Sequence, residues 1–190
     1  MRDRVRRAVQ RYRPVEMPLE DYHDGAVMVL LHEEAGQEYL LFQVRPMDMA
    51  THAGQISLPG GTRDAADGSL IDTALREVEE EIGVPRDHVE VFGQLDDTVT
   101  RSSHYRIRPY VGAVAPGRRD FIVDASEVHE LLQVPLDFLL TPAAEGWYPA
   151  QADGVLQPSR AYYYGDYVIW GATARVVRQF LEVVATEASA

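Results

Sequence analysis

At 190 residues with a formal net charge of −12 and no cysteine, the chain suits one globular domain, and disulfides, thiol nucleophiles and cysteine-ligated zinc are excluded. All 18 basic residues are arginine, which also excludes a Walker-type phosphate loop and a Schiff-base lysine. The acidic balance argues against nucleic acid as a partner, and no apolar run approaches the ~18 residues that would span a bilayer.

The chain begins with Arg2, Arg4, Arg6, Arg7, Arg11 and Arg13, interleaved with Val5, Ala8 and Val9. This pattern predicts an amphipathic helix over about 2–13, solvated or packed across the domain, with polyanion binding as the alternative. No apolar secretion-signal segment follows it, so a cytoplasmic protein is expected. After the break from Pro14 to Pro18, strands are predicted at Gly25 to Leu31, Tyr39 to Val44 and Gly54 to Leu58, with a turn around Glu33 to Gln37.

A helix from about Leu70 to Ile82 comes next. Ser69 with Asp72 resembles a capping box, Gly83 suits the position after the last turn, and Pro85 forbids continuation. Further strands are predicted at Glu90 to Leu95 and Arg106 to Val114, while Glu127 to Val134 reads as strand or irregular chain. A short helical turn at Leu136 to Leu140, an excursion or hairpin from Thr141 to Ser159 and a strand pair around Gly165 lead to a closing helix at about 172–185. Strands and helices alternate through a single layered α/β domain over 1–190.

The central helix carries the chemistry. Ile71, Leu75, Val78 and Ile82 form its packing stripe, and Asp72 with Arg76, four residues apart, forms an expected ion pair. Glu77, Glu80 and Glu81 fall within an arc of about 100° on another flank. Carboxylates in the last turn oppose the helix dipole, and Glu77 repels Glu81 at i,i+4. A divalent cation reverses the sign of these terms, because hard cations prefer carboxylate oxygens.

The segment from Gly61 to Val84 resembles the Nudix box. Arg76, Glu77, Val78, Glu80, Glu81, Gly83 and Val84 fill its second half, while the first half departs: Asp67 stands where a glutamate is usual, one residue too far from Arg76. With Gly60, Gly61, Asp64, Asp67, Ser69 and Leu70 ahead of Thr73 to Glu77, and with Leu40, Leu41, Arg45, His52, Gly54, Gln55 and Pro59 upstream, the chain is similar to the coenzyme A pyrophosphatase branch of the Nudix hydrolases. Ala50, where that branch carries arginine, and Leu58, in place of phenylalanine, are departures.

The resemblance implies the Nudix fold, a mixed β-sheet sandwiched between helices, and an Mg²⁺- or Mn²⁺-dependent pyrophosphatase acting on a small nucleotide substrate. The products expected from coenzyme A are 4′-phosphopantetheine and adenosine 3′,5′-bisphosphate. ADP-ribose, a dinucleotide or a nucleoside triphosphate is the alternative substrate, and a non-catalytic binding module the alternative class. By the motif, Glu77, Glu81 and Glu80 are the expected metal ligands, with a Gly60 or Gly61 carbonyl as a further candidate. Glu80, Glu127 and Arg76 are the expected catalytic residues: Arg76 orients the carboxylates, and Glu127 is the chosen general base. Arg45, His52 and Gln55 are the expected substrate contacts. Asp96 and Asp97 either line the site or form a turn, and Tyr162, Tyr163, Tyr164, Tyr167 and Trp170 either stack adenine or pack internally. A homodimer is a family-level expectation.

Overall fold

The computed structural model describes residues 1–18, 21–46, 54–100, 104–117, 120–152 and 155–187. Helix α1 (Arg2–Arg11) comes first and is followed by strands β1 (His23–Glu34) and β2 (Gln37–Val44). The strand predicted at Gly54 to Leu58 is shorter, β3 (Ile56–Ser57), and a further short strand that was not predicted, β4 (Gly60–Thr62), follows Pro59, which lacks a donor N–H and separates the two. Helix α2 (Leu70–Ile82), β5 (Val89–Gln94), β6 (Thr98–Thr100) and β7 (Tyr105–Val114) follow. The chain continues through β8 (Glu130–Pro135), the single helical turn α3 (Leu136–Leu139), β9 (Glu145–Ala152), β10 (Val155–Tyr164), β11 (Tyr167–Ile169) and α4 (Gly171–Thr186).

The main sheet is mixed. β1 runs parallel to β7 and antiparallel to β2, while β4 pairs with the first residues of β1 (Gly25–Thr62, Val27–Gly60). β3 and β4 thereby occupy the gap where β1 and β2 diverge, and the loop joining them lies between the two central strands. The predicted hairpin after Thr141 is present as β9 and β10, which with β11 form a separate three-stranded sheet.

Two apolar clusters cover opposite faces of the main sheet. One joins Val29, Leu31, Leu40 and Phe42 to α1 and α4, and the other joins Ala26, Met28, Leu30 and Leu41 to α2. The alternation of Leu40 and Leu41, or Val29 and Leu30, between clusters is the period of two that a doubly covered strand requires.

The buried face of α2 is Leu70, Thr73, Ala74, Val78, Glu81 and Ile82, so Ile71 and Leu75 sit at its margin and not at its centre. This shift of the predicted stripe draws Glu81 into the interface between helix and sheet.

The arginines of α1 are absorbed by the fold. Arg2 pairs with Glu38, Arg6 with Asp3 and Glu90, and Arg7 and Arg11 with Glu187, while Arg4 donates to the Val184 carbonyl. These contacts bind α1 to α4 and β5 and favour the packed reading over polyanion binding. Asp96 and Asp97 likewise anchor the segment after α1. Asp96 accepts from Tyr12 Oη and the Val15 N–H, and buried Asp97 accepts from the Met17 N–H and from two nitrogens of Arg108.

Candidate active site

Ser69 caps α2, its Oγ accepting the Asp72 N–H (3.4 Å) and donating to Asp72 Oδ2 (2.7 Å). The expected Asp72–Arg76 ion pair does not form. Arg76 turns toward Asp67, which accepts from Nε and Nη2 at 3.0 Å each, and donates through Nη1 to Glu77 (2.9 Å) and Glu80 (2.8 Å) and through Nη2 to the Thr62 carbonyl (3.2 Å). All five guanidinium donors are thus engaged, a use for which arginine's planar fork is suited. Asp67 is buried and also accepts from Thr73 Oγ1 and the Asp64 N–H, so its carboxyl is held well below the usual carboxylate range, chiefly by Arg76. The bidentate, buried carboxylate of Asp67 draws the guanidinium away from Asp72, which accepts from Ser69 Oγ instead.

Glu81 lies against the sheet with 3% of its surface exposed. A single oxygen, Oε2, accepts the side-chain amide of Gln43 at 2.6 Å and the Gly60 N–H at 2.9 Å. Burial pushes its carboxyl up to about 7, against the opposing pull of those two hydrogen bonds, and the charges of Glu77 and Glu127 add to the rise. Burial likewise raises Glu77, countered by Arg76. Gly61 is packed so tightly against Glu77 that a Cβ at that position would overlap its carboxylate.

Glu127 reaches the same place from outside the helix. Beyond Gly83, the chain returns across the end of α2, where the Ile122 N–H donates to the Ile82 carbonyl (3.2 Å) and the Asp124 N–H to the Glu81 carbonyl (3.0 Å). The Asp124 carbonyl then accepts the N–H groups of Glu127 and Val128, while Asp124 Oδ1 accepts Ser126 N–H (2.9 Å) and Oγ–H (2.7 Å), closing an Asx turn. The turn places Glu127 so that carboxylate oxygens of Glu77, Glu81 and Glu127 lie within 4.8 Å of one another.

Three like charges this close, one of them buried, repel strongly, and an oxygen-only donor set suits a hard divalent cation. The residues therefore fit such a cation. Glu80 is not part of this group; its side chain is 59% exposed and bonded to Arg76.

A cavity of about 450 Å³ adjoins the cluster across Gly60 and Gly61 and is lined also by Arg45, Tyr105 and the first turn of α4, including Ala172 and Thr173. Gln55 accepts the Arg45 N–H through its carbonyl but does not line this cavity. His52 lies outside the described residues. The C-terminal aromatics pack: Tyr162 is in the core, Tyr164 meets Phe138 edge-on, Tyr167 donates to Glu130, Tyr163 to the Trp147 carbonyl, and Trp170 stacks on Tyr148.

Residues 21–151 match the NUDIX domain. The chain belongs to the Nudix family. It is 39% identical over 146 residues to the uncharacterized Nudix hydrolase NudL of Pectobacterium atrosepticum, a match covering 74% of this chain and 72% of that protein. NudL of Photorhabdus laumondii, also an uncharacterized Nudix hydrolase, is 35% identical over 145 residues, covering 76% of each. Among solved structures, a MutT protein from Methanosarcina mazei superposes with a TM-score of 0.55 at 21% identity, over 90% of this chain and 99% of that one, and shows the shared fold. The chain is a Nudix hydrolase. Such enzymes generally use divalent metals and act on small nucleotide-derived substrates.

Gln43, Asp67 and Asp124 were not singled out by their chemistry in the sequence. A signal existed for Gln43: it shares the helix-facing side of β2 with Leu41, and a polar residue on an apolar strand face needs a buried partner.

Proposed function

We propose that the chain hydrolyses the diphosphate bond of coenzyme A or its derivatives, giving 4′-phosphopantetheine and adenosine 3′,5′-bisphosphate, with Mg²⁺ or Mn²⁺ held by Glu77, Glu81 and Glu127. The observation that carries this reading is the convergence of those three carboxylates beside a cavity with an arginine in its wall. The upstream resemblance from Leu40 to Pro59 supports coenzyme A over other diphosphates.

A divalent cation at the cluster supplies charge neutralisation for the diphosphate and acidifies the attacking water. The protein's own groups position the reaction. Gln43 and the Gly60 N–H fix Glu81, and Arg76 holds Glu77 against Gly61. Glu127, exposed and reached from the turn, accepts the proton of the water whose oxygen bonds to phosphorus, while the bridging oxygen leaves with the other phosphate. Glu80, exposed on the same helix and bonded to Arg76, would be a further ligand to such a cation. Arg45 and Gln55 contribute on the substrate side.

Product analysis with coenzyme A, ADP-ribose, a dinucleoside polyphosphate and a nucleoside triphosphate, each with Mg²⁺ or Mn²⁺, tests this. Coenzyme A is expected to turn over fastest. Rapid cleavage of ADP-ribose with coenzyme A untouched would replace the substrate.

A further inference from the structure

Arg45 stands apart from the other arginines. Among the described residues, every other arginine donates a side-chain hydrogen bond, whereas the Arg45 guanidinium makes none, and its Nε is fully buried without a partner. Its two Nη groups are neither bonded nor buried, and the residue lines the cavity, so their free donors point to an anionic ligand there that completes them. In a chain of net charge −12, Arg45 is the one charged residue lining the cavity among the described residues. The same wall includes Ala172 and Thr173 in the first turn of α4, a helix of 16 residues whose N-cap, Trp170, provides no side-chain acceptor. Free N–H groups at such an end attract anions.

We propose that this cavity is a second anion subsite, in which Arg45, assisted by the first turn of α4, binds a phosphomonoester of the substrate distinct from the diphosphate that is cleaved. The cleaved diphosphate has its own locus at the Glu77, Glu81 and Glu127 cluster on the α2 side. The cavity reaches toward α4, which packs on the opposite face of the sheet, and its volume of about 450 Å³ suits a nucleoside-sized group. The ligand class is therefore a ribose phosphomonoester attached to a diphosphate. This subsite rests on the coenzyme A reading above, where the group is the 3′-phosphate of the adenosine moiety.

Steady-state kinetics with coenzyme A and 3′-dephospho-coenzyme A, in the wild type and Arg45→Gln, test it. The wild type is expected to favour coenzyme A by about tenfold or more in kcat/KM, and the ratio to fall about tenfold in Arg45→Gln, mainly through KM. No preference in the wild type, or a ratio unchanged by the substitution, overturns the subsite. If the wild type cleaves neither compound, the coenzyme A reading fails separately. Calorimetry with adenosine 3′,5′-bisphosphate and adenosine 5′-phosphate then decides the subsite: tighter binding of the bisphosphate that is lost in Arg45→Gln supports it, and equal affinities overturn it.

Discussion

The side-chain amide of Gln43 donates to Glu81 across 2.6 Å, joining the middle of the sheet to the last turn of α2 at the centre of the carboxylate cluster. This bond and the Gly60 N–H both fall on Oε2 and fix the carboxylate of Glu81. Replacing Gln43 by leucine removes the donor and leaves a buried carboxylate held by the Gly60 N–H alone. Mn²⁺ affinity, read by electron paramagnetic resonance, is expected to fall about tenfold, because losing a hydrogen bond to a charged group costs about 1.5–3 kcal/mol. Affinity equal to the wild type would remove Gln43 from the site.

The raised Glu81 carboxyl makes the metal-free protein pH-sensitive. Folding lifts it from 4.5 to about 7, so the folded state binds the proton more tightly than the unfolded chain. That contribution is fully present below about pH 4.5 and is lost as pH rises through about 7. Urea unfolding should therefore show the metal-free wild type losing stability relative to Glu81→Gln between pH 5 and pH 8, by up to about 3 kcal/mol. Saturating Mn²⁺ should abolish this loss, since the cation takes the ionised carboxylate. A pH-independent difference between the two proteins contradicts the assignment.

Asp124 acts on the cluster through Glu127. Its carbonyl and carboxylate close the turn, and its N–H ties the turn to the Glu81 carbonyl. Asp124→Ala is expected to weaken Mn²⁺ binding about three- to tenfold in the wild type and to have no further effect in Glu127→Gln. Additive losses in that double-mutant cycle would show that the turn serves general stability alone.

Neighbouring glycines should separate fold from site. At Gly61 the three atoms nearest a Cβ all belong to the end of the Glu77 side chain, so Gly61→Ala should melt near the wild-type temperature while losing at least about tenfold in Mn²⁺ affinity. At Gly60, φ is +148° and a Cβ meets the backbone of Ala26 and Val27, so Gly60→Ala should lower the melting temperature itself. The same response from both variants would refute this distinction.

The sequence made α2 legible because cap, terminator and apolar spacing all agreed on its limits. The convergence of Glu77 and Glu81 followed from helical geometry. The turn that brings in Glu127 did not, since its hydrogen bonds run to α2 carbonyls distant in sequence, and resemblance alone singled that residue out. Arg76 illustrates a second limit: its i,i+4 partner was visible locally, but Asp67 wins through burial and bidentate geometry that only the folded loop provides. The shortening of the Gly54 to Leu58 strand and the unpredicted β4 after Pro59 reflect the divergence of β1 from β2, a property of the sheet and not of the segment.

The most direct test of the account is Mn²⁺-supported hydrolysis of coenzyme A by the wild type and by Glu81→Gln, followed by chromatographic separation of the products. The cluster predicts adenosine 3′,5′-bisphosphate and 4′-phosphopantetheine in equal amounts from the wild type, with turnover abolished by chelation and in Glu81→Gln. Undiminished turnover in Glu81→Gln, or in the presence of chelator, would contradict a cation-dependent reaction at Glu77, Glu81 and Glu127.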